Sequence, residues 1–170
     1  MRMLPLVLFV AACAMPKNEL TPLVDAARSG DAAAVRTLCA AGADPDARAG
    51  SNGWTPLLHA IHTNHPASAA ALLEAGADAN APTPEDMTPL MMAAGYGRPE
   101  MVALLLRHGA TAAQRDLDGA VALDYALTGI TDVDDFTFFR CQNDTVALLR
   151  QASPPPQTSS IRWAHLKGCL

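Results

Sequence analysis

The stretch HAIHTNH sets three imidazoles, His59, His62 and His65, within seven residues. Neutral imidazole is the commonest protein ligand for metals. His59 and His62, three apart, share a face if the segment is helical. A tetrahedral zinc site, however, needs three or four ligands whose directions converge. Residues spread over one helix and the turn after it converge poorly, and His108 and His165 stand far off in the chain. The cluster is therefore read as surface or polar-core histidine, with no metal and no cofactor. Metal or small-molecule binding through His59, His62 and His65 is the alternative.

Other residues capable of chemistry are less organised. Asp132, Asp134 and Asp135 alternate as in a cation loop, but the segment lacks the turn glycine and closing glutamate of an EF-hand. Cys141 and Cys169 have no histidine at a nucleophile's spacing. No phosphate-cradling, dinucleotide-binding or nucleophile-elbow motif is present. No catalytic residue is assigned, and the chain is read as a non-enzyme.

Composition narrows the class. Half of the 170 residues are hydrophobic but only 5% are aromatic, which favours small, closely packed helices. The net charge is −5 with no Lys/Arg cluster, which argues against a nucleic-acid partner. The N-terminus differs in kind. Arg2 precedes the apolar run Met3 to Ala12, of signal-peptide length and too short to span a bilayer. The run ends in Val10-Ala11-Ala12-Cys13, which resembles the bacterial lipobox, with Cys13 as the lipidated residue. Ala12-Cys13-Ala14 also fits ordinary signal cleavage, and a buried N-terminal helix of a cytosolic chain is the plain alternative.

The elements that carry the histidines are set by a repeat. TPLVDAARSGD begins at Thr21, TPLLHAIHTNH at Thr55 and TPLMMAAGYGR at Thr88, spaced by 34 and 33 residues. A degraded copy, VALDYALTGI, begins at Val121. Gly42, Gly76 and Gly109 each follow their threonine by 21 residues. Thr before Pro reads as a helix cap with proline in the first turn. Gly30, Asn64 and Gly97 break the first helix, Pro66 and Pro99 restart a second, and the later glycines end it. The long stretches between copies are turns, and the extra residue of the first copy falls in ARAGSNG. In that register Cys39 takes the place of Leu106, as a small buried hydrophobe.

This pattern resembles the ankyrin repeat. The resemblance implies an all-α solenoid of about four helix-turn-helix repeats with finger turns, flanked by an N-terminal signal segment and a C-terminal tail. The expected divisions are 1–12 signal, 13–18 linker, 19–150 repeats and 151–170 Pro/Ser linker and tail. The repeats fall at 19–47, 48–81, 82–114 and 115–150, the last with an insertion at about 130–141. His65 then lies in the turn between helices, where the family commonly uses histidine for hydrogen bonding.

The resemblance also implies protein binding through the concave face and the fingers. On the family's pattern the groove takes Trp54 and Met87, then His62, Thr63 and Tyr96, with Arg28 and Ser29 from the first repeat. The finger tips add Ser51, Asn52, Glu85 and Asp118. Trp54 and Tyr96 are the expected anchors, since such side chains dominate hot spots. Packing of Trp54 on its own finger is the competing reading. The expected setting is the bacterial envelope: a monomer with an unidentified protein partner, touching the membrane only through lipid on Cys13, facing the periplasm, or else free there or secreted. An inhibitory or protective role toward that partner, and a Cys141–Cys169 disulfide, complete the expectations.

Overall fold

The computed structural model describes residues 20–128 and 143–152. Cys13, Cys141, Cys169, His165, the acidic insertion and all but the first two residues of the expected tail lie outside them. Eight helices are present among the described residues: α1 (Pro22–Ser29), α2 (Ala32–Ala40), α3 (Pro56–His62), α4 (Pro66–Glu74), α5 (Pro89–Gly95), α6 (Pro99–Arg107), α7 (Ala122–Thr128) and α8 (Asn143–Ala152). All are shorter than a helix that stands alone in water, so packing holds them. The odd-numbered helices stack in one layer, α1 on α3 on α5 on α7, and the even-numbered helices stack behind them.

The caps follow the repeat. Thr21, Thr55 and Thr88 accept hydrogen bonds from the Val24, Leu58 and Met91 amides, with proline next in each case. The fourth copy lacks Thr-Pro and starts differently: the Val121 amide donates to the Asp124 carboxylate, the returning half of a capping box. Between α3 and α4 the chain turns through Asn64 at φ 60°, the place Gly97 fills between α5 and α6 at φ 64°. Asparagine tolerates that left-handed conformation better than most residues.

The core runs along the stack through Val24, Leu57, Leu58, Ile61, Leu72, Leu90, Met91, Met92, Met101, Leu105 and Leu149, all nearly or wholly buried. The first repeat is more open. Asp25, Arg28 and Ser29 are exposed, and α2 buries only Val35 completely. Cys39 is half-buried against the core rather than enclosed, as suits a helix in the first repeat, and burial raises its thiol pKa.

Each finger closes as a small hairpin, through Ala49 N–H to Trp54 O, Thr83 N–H to Met87 O and Asp116 N–H to Ala120 O. The first hairpin is one residue longer than the other two, which locates the extra residue of the first repeat among positions 50–53. Polar side chains join finger to finger. Asp46 accepts from the Asp78 amide and Asn80 accepts from the Thr111 amide, while Arg48 reaches Pro82 O at 2.6 Å. In the last finger Tyr125 donates to Asp116 at 2.6 Å.

Candidate functional site

Trp54 leaves the first finger hairpin and lays its half-buried ring over the end of α3. The ring centroid lies 5.5 Å from that of His59 and 5.3 Å from that of His62, the latter edge-on. His62 in turn meets Tyr96 of the next repeat, at 5.7 Å between rings and 2.8 Å between Nδ1 and the hydroxyl. Arg98 sets its guanidinium 4.6 Å from the Tyr96 ring centre. It also donates through Nη1 to Ile61 O and to His62 O, the last at 3.0 Å. Trp54, His62, Tyr96 and Arg98 thus form one continuous surface across repeats two and three. Offset and edge-on ring contacts of this kind stabilise beyond the area they bury.

The three histidines go separate ways. His59 is only 5% exposed. Its Nε2 has no hydrogen-bond partner, and the Ala49 backbone beside the ring favours its charged form. Burial is the main force that pushes its pKa below the ordinary imidazole value, opposed by the Ala49 backbone and helped by Arg28 and His62. His62 is engaged by Tyr96. The His65 ring lies against Gly30, whose φ is +83°; a Cβ there would come within 2.6 Å of His65 Nδ1. His65 therefore packs the first two repeats together. Among the described residues no group of three or more His, Cys, Asp or Glu is placed to hold a metal ion.

The other sequence-derived positions are more scattered. Thr63 is half-buried and its hydroxyl donates to His59 O. Met87 is half-buried against the core. Arg28 and Ser29 are exposed on α1, and Arg28 is close enough to His59 to disfavour its charged form. Ser51, Asn52, Glu85 and Asp118 are exposed on three different fingers. Of these, Asn52 touches the aromatic surface through the Trp54 amide. Two residues escaped the sequence reading. Arg98 stands at the register position of His65, in the turn between helices, and its place two residues after Tyr96 is visible in GYGR. Leu117, 76% exposed, is a large apolar side chain beside Asp118 on the last finger.

Comparison with known families agrees with the repeat. A family model for three copies of the ankyrin repeat matches residues 4–83, and one for many copies matches 72–126. The first match runs back over the apolar segment read as a signal. No curated protein matches the chain significantly.

Proposed function

We propose, for a chain that carries ankyrin repeats, a non-enzymatic module that binds a protein partner on the surface formed by Trp54, His62 and Tyr96. Ankyrin repeats are generally protein-interaction modules, and this one offers three adjacent rings on neighbouring repeats. That contiguity is the observation that supports the reading. Aromatic residues grouped at one place supply large contact area at low entropic cost and dominate interface energetics. Arg28 and Ser29 lie on the first-repeat side, and the finger tips with Ser51, Asn52, Glu85 and Asp118 form a polar rim.

The proposed setting is the bacterial envelope. The VAAC sequence supports lipid on Cys13, and two acyl chains anchor stably where one does not. Mass analysis of the membrane-extracted protein should find a lipidated Cys13 terminus, and Cys13→Ser should leave the membrane fraction. An intact Met1 terminus in the cytosol overturns the anchor and leaves the binding surface untouched.

The binding surface is tested by capturing partners from the envelope fraction with the mature protein. Trp54→Ala and Tyr96→Ala should each weaken the captured complex by about 2 kcal/mol. Unchanged affinity in both variants returns the rings to a packing role.

A further inference from the structure

The buried imidazole beneath the proposed binding surface has a ring nitrogen, Nε2, without a hydrogen-bond partner. His59 is enclosed by Trp54 on one side and by the helices packed on α3, which are α1, α4 and α5. Its neutral form suits that place, because Nε2 can stand as a bare acceptor; the Ala49 backbone favours the charged ring but is outweighed by burial. Its protonated form does not suit it, because a second N–H would point into the core with no acceptor. A buried, unsatisfied charged donor is among the costliest groups a core can hold.

The surrounding charges do not offset that cost. On the packed elements the charged and titratable groups are Asp25 and Arg28 of α1, His62 of α3 itself, His65 and Glu74 at the two ends of α4, and Tyr96 and Arg98 beyond α5. The first finger adds Asp44, Asp46 and Arg48. Of these, Arg28 and His62 act on His59, and both oppose its protonation. The cheapest escape for a protonated ring is outward. What covers it there is Trp54 and the first-finger hairpin, closed by Ala49 N–H to Trp54 O, Gly53 N–H to Gly50 O and Arg48 to Gly53 O.

We propose that His59 is an acid-sensitive latch: its protonation frees the 49–54 hairpin, lifts Trp54 and dismantles the partner surface while repeat three stays folded. The third repeat carries Met92 at the same place, buried and without a titratable group. The latch therefore belongs to one repeat and not to the fold. Its role rests on the binding reading above, but the device itself is a property of the free chain. Failure of partner capture and failure of the latch are accordingly separate results.

The test uses the full chain with Trp163→Phe, which leaves Trp54 as the one tryptophan. On acidification from about pH 8 to about pH 5, Trp54 emission should move to the red, and hydrogen exchange at Ala49, corrected for its intrinsic pH dependence, should rise by about tenfold per pH unit below about 6.5. Amides of α5 and α6 should keep their protection. His59→Met should abolish both changes, and His62→Gln should preserve them. The proposal is overturned if the wild type shows no transition, if the transition survives His59→Met, or if α5 and α6 open with the same pH profile. Should His59→Met fail to fold, ring titration of His59 by NMR in the wild-type chain decides: a midpoint that does not coincide with the opening at Ala49 rejects the latch.

Discussion

Repeats two and three share one plan of paired helices, α3 with α4 and α5 with α6, and solve the same packing problem with different chemistry. Where repeat two has Trp54, His59, His62, Thr63 and His65, repeat three has Met87, Met92, Gly95, Tyr96 and Arg98. Behind them Leu57 and Leu90 are both buried, as are Leu72 and Leu105, while other buried positions exchange size, Ile61 for Ala94, Ser68 for Met101 and Ala71 for Leu104. The rear of each helix pair thus keeps its burial while volume shifts from one position to another, and the front changes in chemistry as well as in size. The front of one repeat is completed by the next, since Tyr96 and Arg98 reach back to the end of α3.

The largest effects should come where the two repeats agree. Leu57→Ala and Leu90→Ala should each cost about 3 kcal/mol, because both leave a cavity in a filled core. Urea denaturation of the two variants should give nearly equal losses. A cheap loss in one alone would show that its neighbours collapse into the space, and that the rears are not equivalent.

The next effect separates the repeats. Arg98→Ala should cost about 2 kcal/mol, since a charged donor to two backbone carbonyls at the end of α3 is lost. Hydrogen exchange should locate the damage in repeat two, at Ile61 and His62, rather than around α6. Damage confined to α6 would contradict the cross-repeat role.

The third prediction concerns pH. The folded pKa of His59 is depressed, chiefly by burial. In the pH window between that value and the unfolded one, the unfolded chain binds more protons, so stability rises with pH there. The stability held above about pH 6.5 should therefore be lost progressively as pH falls toward the folded value. Melting temperatures of the wild type should drop over that window and those of His59→Met should drop less. Parallel curves would assign the acid sensitivity elsewhere.

Much of this was legible before any coordinates. Threonine caps, first-turn prolines and the glycine that ends each pair are local devices with fixed spacing, so self-comparison of the sequence finds them. Asn64 was readable for the same reason, as the residue standing where its neighbours have glycine. The joining of Trp54, His62 and Tyr96 followed from the groove that the family resemblance implies. Arg98 did not, because its reach depends on a long side chain bending back across a repeat boundary, and spacing carries no record of direction. The burial of His59 was equally hidden: the same register offers exposed Asp25 and buried Met92, and only the Trp54 cover decides between them.

The smallest effect tests that local grammar. Asn64→Gly should stabilise the chain by about 0.5 kcal/mol, since glycine adopts positive φ without a Cβ penalty, partly offset by its freer unfolded state. Thermal melts should show a slight rise. Gly97→Asn should give the reverse, bringing repeat three to the condition of repeat two.

The finger-to-finger hydrogen bonds bear on how such a chain can lengthen. At each of the first two junctions the contribution of the earlier repeat is a carboxylate or amide side chain, Asp46 or Asn80, and that of the later repeat is a main-chain N–H, at Asp78 or Thr111. A main-chain N–H is present whatever residue stands there, proline excepted. A duplicated copy of residues 48–81 would thus arrive with one half of its junction already supplied and would need to inherit only the other. The corresponding residue of the third repeat is Ala113, whose side chain has nothing to offer the fourth. Growth by copying has a natural stop at that alanine, and it coincides with the point where the repeat sequence itself begins to decay.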